Sequence, residues 1–255
     1  MLDVKGLSRN FYGVQALQSA DLEVRPGTIT GLIGPNGAGK TTLFNCISGV
    51  IPPDEGEVTF DGQDITGCRP ETISQRGMVR TFQIARGLPR LTVLENLLLY
   101  GTEQPGEHIS RLFFKPGAVK SREKALTEQA LEIAGKLRLT EVLNNRADEV
   151  SGGQKKLLEI GRALMTQPKL ILLDEPIAGV NPRLSREIAD QLIRLKEEED
   201  LTFLIIEHDM DLIARLCDPV IVMANGRRLA EGSFSDITEH PDVQEAYLGS
   251  RKWAS

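Results

Sequence analysis

A glycine-rich segment near the N-terminus has the residue types of a phosphate-binding loop. It fits the pattern G-x-x-x-x-G-K-[ST] and lies between the apolar run Ile29 to Ile33 and the helical run Thr42 to Ile47. Backbone N–H groups of such a loop and the helix dipole bind phosphate, Lys40 would reach the β- and γ-phosphates, and the Thr41 hydroxyl would ligate Mg²⁺. An incidental lysine in a strand-to-helix turn is the alternative, which both flanks disfavour. The predicted nucleoside triphosphate site comprises Gly34, Pro35, Asn36, Gly37, Ala38, Gly39, Lys40, Thr41 and Thr42.

Two adjacent carboxylates follow a second apolar run, Leu170 to Leu173. Ligands of α/β folds bind at the carboxyl ends of strands, so we expect Asp174 to hold Mg²⁺ through water. Glu175 is then the natural general base for the attacking water. An acidic turn after a core strand is the alternative, and the phosphate loop disfavours it. Together the two motifs predict hydrolysis of a nucleoside triphosphate.

Two hydrophobic patterns predict the sheets that position these motifs. Alternating apolar and polar residues indicate an antiparallel β-subdomain built from Val4 to Leu7, Leu17 to Val24 and Glu57 to Phe60. Nearly continuous apolar runs indicate strands covered by helices on both faces. These runs are Ile29 to Ile33, Leu170 to Leu173, Phe203 to Ile206 and Val220 to Met223. The predicted fold class is α/β, with a mostly parallel central sheet.

Helical periodicity replaces these patterns between the two halves of the site. The apolar residues fall on two stripes, Val93, Leu94, Leu97 and Leu98 on one and Ala130, Leu131, Ala134 and Leu137 on the other. They predict a helical subdomain at about 88–165. Within it, the polar, Gly/Pro-punctuated segment Gly101 to Val119 predicts a long excursion between two helices. We expect one domain over 1–255, with a C-terminal extension at about 225–255.

Charge, hydrophobicity and cysteine spacing exclude several other classes of protein. The 255 residues carry a net charge of -6, which disfavours a general affinity for nucleic acid. No apolar run is long enough for a membrane span and the N-terminus lacks a signal-peptide core, so we expect a soluble cytosolic protein. The cysteines lack C-x-x-C spacing, which predicts free thiols rather than disulfides or a zinc site. They are Cys46, Cys68 and Cys217.

The stretch Val150-Ser151-Gly152-Gly153-Gln154-Lys155, followed by the helical run Lys156 to Met165, resembles the signature motif of ABC ATPases. Three further residues then match the family in order along the chain. Tyr12 is similar to its adenine-stacking aromatic, Gln83 to its catalytic and Mg²⁺-binding glutamine, and His208 to its switch histidine. The resemblance covers residues 1 to about 240 and implies the P-loop ABC ATPase fold, with ATP and Mg²⁺ as cofactors.

The signature also has a physical rationale. The Ser151 hydroxyl and the backbone N–H groups of Gly152 and Gly153 would form an anion-binding nest at a helix start, with Gln154 in the same segment. In the family, each ATP is held between the phosphate loop of one subunit and the signature of another, with the two subunits head to tail. The resemblance therefore implies a second ATPase subunit, identical or different. It also implies two transmembrane permease subunits, an extracytoplasmic substrate-binding protein, and a peripheral location on the cytoplasmic face of the inner membrane.

Further sequence features indicate a branch of the family. The loop Pro176 to Pro182 departs from the commonest family sequence, because it has Asn181 where most members have Asp. The other features are Arg80 before Thr-Phe-Gln, the long helical excursion, and the tail segment Glu245 to Gly249. These features resemble branched-chain amino acid importers, and they make Asn181 a predicted dimer contact. Relatives serving urea or short amides remain alternatives. A lipopolysaccharide exporter is a further alternative, disfavoured by the length of the excursion.

Two surface segments are candidates for membrane partners. Phe113 and Phe114, flanked by Arg111 and Lys115, could reach a membrane partner or lipid headgroups, although packing onto the helical subdomain is the preferred interpretation. The family resemblance instead implies partner docking through the residues after Gln83, namely Arg86 and Arg90.

Other classes of nucleotide hydrolase fit less well. ABC ATPases of DNA repair or translation usually carry a coiled-coil insertion or two cassettes, and this sequence has neither. GTPases need an N-K-x-D base-reading motif, which is absent, and kinases lack the Ser-Gly-Gly-Gln signature. An inactive binding module would lack Glu175 or His208, and both are present.

Overall fold

The computed structural model describes residues 1–81, 88–102 and 116–248. These residues form two compact units, which we call the first and the second unit. The first unit comprises 1–83, 169–178 and 192–255, and the second comprises 84–168 and 179–191. The predicted helical subdomain, 88–165, falls within the second unit. Its description as part of a single domain over 1–255 stays a prediction.

Strands and helices together make up most of the described residues. The strands are β1 (Leu2–Phe11), β2 (Val14–Val24), β3 (Ile29–Ile33), β4 (Glu55–Phe60), β5 (Gln63–Asp64), β6 (Met78–Arg80), β7 (Leu170–Asp174), β8 (Thr202–Ile206), β9 (Val220–Ala224) and β10 (Arg227–Gly232). The α-helices are α1 (Lys40–Ile47), α2 (Pro70–Gln75), α3 (Val93–Leu98), α4 (Pro116–Lys136), α5 (Gly152–Leu164), α6 (Pro182–Glu199), α7 (Met210–Leu216), α8 (Phe234–Glu239) and α9 (Pro241–Leu248). A 3₁₀ turn covers Thr140–Val142.

The strands form two sheets in the first unit. The antiparallel sheet has the order β2-β1-β4-β5, and the central sheet has the order β10-β9-β3-β8-β7-β6. All neighbours in the central sheet are parallel except β10, which pairs antiparallel with β9. The predicted antiparallel and central strands are confirmed. β6 and β10 were not predicted, because β6 has only three residues and β10 lacks a continuous apolar run.

Helix α1 shares one hydrophobic core with both sheets. Its residues Leu43, Phe44 and Ile47 are buried in the same cluster as Leu22 of the antiparallel sheet and Leu172 of the central sheet. A close-packed interior of this kind holds its elements rigidly. The start of α1, where the predicted phosphate loop ends, is therefore firmly positioned.

The second unit is built from α3, α4, α5 and the beginning of α6. Gly161 allows close packing, because a Cβ there would lie 2.9 Å from Leu97 Cδ2 and 3.0 Å from Leu137 Cδ1. A buried polar pair also joins α3 to α5, where Arg162 Nη2 donates to Asn96 Oδ1 at 2.5 Å. The predicted core position of Leu131 is wrong, since its side chain is 45% exposed.

Three further expectations can be compared with the structure. Of the predicted excursion Gly101 to Val119, residues 103–115 lie outside the described residues, and 116–119 belong to α4. The excursion prediction is therefore wrong at its C-terminal end, since proline is favourable in the first turn of a helix. The three cysteines are free thiols, as predicted. No helix in the described part of the chain is long and apolar enough to cross a bilayer.

Candidate nucleotide-binding and hydrolysis site

The predicted phosphate loop connects the end of β3 to the start of α1. Gly34 and Gly39 have φ angles of 149° and 99°, in the left-handed region that side chains avoid. A Cβ at Gly34 would overlap the Met223 carbonyl oxygen, and one at Gly39 would lie 2.6 Å from the Ala16 carbonyl oxygen. The loop needs glycine at both positions because neighbouring backbone leaves no room for a side chain.

Lys40 is the first residue of α1 and is only 7% exposed. Its Nζ donates to the carbonyl oxygens of Gly34 at 2.7 Å and Pro35 at 3.1 Å. Burial lowers the pKa of Lys40, whereas the carboxylates of Glu175 and Asp174 raise it. The ammonium group is therefore fixed across the mouth of the loop, where it can exchange a carbonyl partner for a phosphate oxygen.

The other loop residues present their backbone to the same region. Asn36, Gly37 and Thr41 are exposed, Pro35 and Thr42 are half-buried, and Ala38 is buried. Thr41 and Thr42 lie in the first turn of α1, where backbone N–H groups have no partner within the helix. These N–H groups and the Thr41 hydroxyl are the donors and ligands that a phosphate and a hard cation require.

Asp174 is the last residue of β7 and is 6% exposed. Its Oδ2 accepts a hydrogen bond from Arg80 Nη2 at 2.8 Å, and no described residue donates to its Oδ1. The described residues contain no cluster of three or more His, Cys, Asp or Glu that could hold a metal. A single carboxylate beside a phosphate site fits Mg²⁺, which completes its shell with phosphates and water.

Glu175 and His208 are brought together by the neighbouring strands β7 and β8. Asp174 pairs with Ile206, so Glu175, one residue beyond β7, and His208, two residues beyond β8, lie at the same edge of the sheet. Glu175 Oε1 is 2.9 Å from His208 Nε2. Glu175 also has a φ of 48°, and such strain is common at functional sites. The predicted base and the predicted switch histidine therefore lie in direct contact.

Sequence reasoning missed Glu207, which is 4% exposed. Its Oε1 accepts from the N–H of Ile177 and its Oε2 from the N–H of His208, each at 3.2 Å. Burial raises the pKa of Glu207 to about 7, and the charges of Glu175 and Asp209 add to this, while the two backbone N–H groups oppose it. The available signal was a carboxylate directly after the apolar run Phe203 to Ile206 and directly before His208. Glu207 ties the backbone after Glu175 to the backbone of His208.

Tyr12 lies in the tight turn between β1 and β2, with a φ of 49°. The turn is stabilised by Gly13, whose N–H donates to Asn10 Oδ1 at 2.9 Å. The Tyr12 side chain is fully exposed. An aromatic ring in this situation offers a whole face for stacking.

The signature residues lie in the second unit, at the start of α5. Ser151 Oγ accepts from Gln154 N–H at 3.3 Å, and Gln154 Oε1 accepts from Ser151 N–H at 2.9 Å, which forms a capping box. Gly152 is exposed, and Gly153 is buried against Leu184, whose side chain would overlap a Cβ at that position. The Ser151 hydroxyl accepts within the cap, so its hydrogen is available for an anion at the helix N-terminus.

Asn181 caps α6, because its Oδ1 accepts from the Leu184 N–H at 3.0 Å. Asn and Asp are equally good helix N-caps, so this capping role does not depend on which of the two occupies position 181. Arg90 is exposed. Other predicted residues lie outside the described part of the chain, namely Gln83, Arg86, Arg111, Phe113, Phe114 and Lys115.

Comparison with known proteins gives two family matches. Residues 17–178 match the model described as ABC transporter, which covers more than half of the chain. Residues 227–252 match a second model, described as branched-chain amino acid ATP-binding cassette transporter. A protein of Archaeoglobus fulgidus, named a probable branched-chain amino acid transport ATP-binding protein LivG, is 44% identical over 98% of this chain and 96% of its own length.

Solved structures agree with the fold. A crystal structure of the ADP conformation of an ATP-binding cassette of an ABC transporter is 42% identical, covers 98% of both chains and has a TM-score of 0.85. A dimeric structure of a post-hydrolysis state of an ATP-binding cassette, bound to ADP and Pi, is 26% identical. It covers 92% of this chain and 99% of that one, with a TM-score of 0.73. The predicted fold and family resemblance are confirmed.

Proposed function

Because this chain belongs to the ABC transporter family of ATP-binding cassettes, we propose that it is the ATPase subunit of an importer for branched-chain amino acids. Members of the family bind and hydrolyse ATP and work with membrane permeases, so the chain is an ATPase and part of a transporter. What we propose beyond this is the direction of transport, which is import, and the cargo, which is branched-chain amino acids. The observation that carries it is the separate match of residues 227–252 to the branched-chain amino acid model.

The geometry supports a division of roles within the first unit. Lys40 and the loop N–H groups bind the phosphates, and the ring of Tyr12 stacks on the adenine. Glu175 orients and deprotonates the attacking water, while His208, 2.9 Å from Glu175, holds the base in place. When bound, Mg²⁺ neutralises developing charge on the phosphates, and Thr41, Asp174 and Gln83 are its proposed ligands. In this proposal Glu175 is the general base for the attacking water, and no second base is required.

The signature residues require a second ATPase subunit in this proposal. Two chains associate head to tail, so that the anion-binding cap at Ser151 to Gln154 of one chain meets the γ-phosphate held by the other. ATP favours the closed dimer because its γ-phosphate adds contacts that ADP cannot make. A similar cassette was solved as a dimer in a post-hydrolysis state with ADP and Pi, which supports association of two cassettes. Asn181 is the proposed contact between the subunits.

The proposed importer has further parts. Two permease subunits cross the membrane, an extracytoplasmic binding protein delivers the cargo, and the ATPases lie peripherally on the cytoplasmic face of the inner membrane. Arg86 and Arg90 are the proposed docking residues for the permeases. The second ATPase is either another copy of this chain or a different cassette.

Purification from native membranes in mild detergent tests the assembly. We expect two polytopic membrane proteins, a second cassette and a binding protein to accompany the tagged chain. The purified complex is then placed in liposomes with the binding protein, and ATP-dependent uptake of radiolabelled leucine is measured beside Glu175→Gln. The proposal is supported if the wild-type complex takes up leucine and the complex with Glu175→Gln does not.

The alternatives give different results. Uptake of urea or a short amide without leucine would keep the transporter and change the cargo. Transfer of lipopolysaccharide would replace import by export. Recovery of only ribosomal or DNA-repair proteins would contradict the transport role and leave the ATPase chemistry in place.

A further inference from the structure

The guanidinium group of Arg80 lies at the meeting point of three elements of the first unit. Arg80 is the last residue of β6, and its Nη2 donates to Asp174 Oδ2 at the end of β7, at 2.8 Å. Its Nη1 donates to Asn45 Oδ1 at 2.6 Å and lies 3.2 Å from Ser48 Oγ, both on or next to α1. Arg80 therefore connects the predicted metal-binding carboxylate to the helix that begins with Lys40.

The Arg80 side chain is itself held on several sides. Its guanidinium carbon lies 5.6 Å from the ring centroid of Phe44, which is fully buried in α1. The side chains of Arg80 and Asp174 are only 11% and 4% exposed. A buried ion pair contributes little net stability, because desolvation of both charges offsets their attraction. Such a pair gives geometric definition rather than a large gain in folding free energy.

The proposed function requires one oxygen of Asp174 to face Mg²⁺ in a fixed direction. Arg80 engages Oδ2 only, and among the described residues no donor occupies Oδ1. A carboxylate tethered through one oxygen loses freedom of rotation, while the other oxygen stays available to Mg²⁺ or to a water that Mg²⁺ binds. Hydrogen-bonding partners of metal ligands act in this way, and their loss typically weakens metal binding by roughly 10- to 100-fold.

We propose that Arg80 is a positioning residue that orients the Asp174 carboxylate for Mg²⁺ relative to the phosphate loop. This inference rests on the proposed role of Asp174 as a Mg²⁺ ligand. Arg80 does so by anchoring that carboxylate to Asn45 and Ser48 of the α1 region.

The planar fork of arginine is essential to this role. Its two terminal nitrogens reach Asp174 on one side and Asn45 on the other, whereas the single ammonium group of lysine is a point charge. Arg80→Lys therefore keeps the positive charge and removes the bridge. This substitution separates positioning from simple charge neutralisation.

The experiment measures Mg²⁺ dependence of nucleotide binding in the full-length protein. A fluorescent ATP analogue is bound to wild type and Arg80→Lys, first in EDTA and then with increasing Mg²⁺. We expect the half-saturating Mg²⁺ concentration to rise about tenfold or more in Arg80→Lys. Binding in EDTA should stay at the wild-type level, because the contacts of Lys40 are unchanged. An unshifted Mg²⁺ titration in a folded variant would overturn the inference.

Arg9→Lys is the matched control. Arg9 also pairs with a carboxylate, Asp54, at 2.6 Å, and its guanidinium lies 5.0 Å from the ring centroid of Phe11. It has the same kind of ion pair and ring contact without touching Asp174. The inference expects no shift in Mg²⁺ dependence for Arg9→Lys, and an equal shift would contradict it.

Asp174→Asn distinguishes failure of the inference from failure of the proposed function. A shift in Asp174→Asn without a shift in Arg80→Lys would overturn the inference alone. No shift in Asp174→Asn would overturn the Mg²⁺ role of Asp174 and the inference with it. If Arg80 acts through Asp174, the double variant will bind Mg²⁺ no more weakly than Asp174→Asn.

Asn45→Ala is the second test, for use if circular dichroism shows that Arg80→Lys does not fold. It removes one anchor of the guanidinium and leaves the contact between Arg80 and Asp174. We expect a smaller shift in the same direction, and an unshifted titration in folded Asn45→Ala would count against the anchoring role.

Discussion

The side chains of His208 and Glu175 are in contact, with 2.9 Å between Nε2 and Oε1. Parallel pairing of β7 with β8 brings the segments that follow the two strands to one edge of the sheet. Glu175 is the first residue after β7, and His208 is the second after β8. The histidine can donate to the carboxylate from Nε2 and hold it in one rotamer. The two residues should therefore behave as a functional unit.

Glu175→Gln tests the base. The amide cannot accept a proton, so we expect phosphate release to fall by about 10² to 10⁴. Nucleotide binding should persist, because the phosphate loop is unchanged. In the proposed mechanism this variant accumulates as an ATP-bound dimer, measured by light scattering during size exclusion.

Glu187→Gln is the control for that substitution. Glu187 is an exposed carboxylate on α6 that pairs with Arg183 at 3.2 Å. The Glu187→Gln variant should hydrolyse ATP at the wild-type rate. Wild-type hydrolysis in Glu175→Gln would show that another group acts as the base.

His208→Ala tests the coupling between the two residues. We expect a loss of hydrolysis, since Glu175 would no longer be held. The double variant His208→Ala with Glu175→Gln should lose no more than the larger single loss, because residues that act together are not additive. Steady-state phosphate release from the four proteins gives the coupling energy. Multiplicative losses would mean that the two side chains contribute independently.

Glu207 makes the folding stability depend on pH. Burial raises the pKa of Glu207 from its ordinary value of 4.5 to about 7 in the folded protein. The folded state therefore binds more protons than the unfolded state between these values, and the free energy of unfolding falls as pH rises through that window. This contribution is fully present below pH 4.5 and lost above about pH 7. Chemical denaturation at several pH values measures it.

Glu207→Gln should flatten this dependence, because the amide does not titrate. The variant also loses one acceptor for the N–H groups of Ile177 and His208, which lowers stability at every pH. The slope with pH is therefore the decisive quantity. Glu187→Gln, which changes an exposed carboxylate, should keep the wild-type slope. An unchanged slope in Glu207→Gln would show that Glu207 is not the titrating group.

Gly153→Ala and Gly152→Ala form a matched pair in the second unit. A Cβ at Gly153 would overlap the side chain of Leu184, whereas a Cβ at Gly152 meets nothing within 4 Å. Overpacking typically costs about 1–3 kcal/mol, so we expect Gly153→Ala to lower the free energy of unfolding by that amount. Gly152→Ala should be neutral or slightly stabilising, because alanine is the better helix former. Urea denaturation distinguishes them, and equal stability would contradict this packing.

The phosphate loop, the hydrolytic pair and most central strands could be predicted from sequence, because their signals are local. A buried parallel strand is a short apolar run, and the residue after it must lie at the edge of the sheet. The pairing of Glu175 with His208 needs the strand order as well. Strand order is set by long-range packing, which a single sequence does not display.

The features that were missed or wrong have similar causes. The contact of Arg80 with Asp174 spans 94 positions, and the strand that carries Arg80 has only three residues. Glu207 was missed because nothing local shows that its carboxylate meets two backbone donors from different segments. Leu131 follows the buried Ala130 and turns by about 100° around a helix, out of the stripe that continues at Ala134.

The full exposure of the Tyr12 ring has a consequence for nucleotide specificity. An aromatic face stacks on any base, since adenine and guanine both present a π surface and stacking ignores the pattern of donors and acceptors at their edges. Under the proposed function, the nucleotide is held through its phosphates and this exposed ring, so we expect the cassette to discriminate weakly between purines. Its use of ATP would then follow from the abundance of ATP in the cell, and GTP would drive the same cycle wherever it was plentiful.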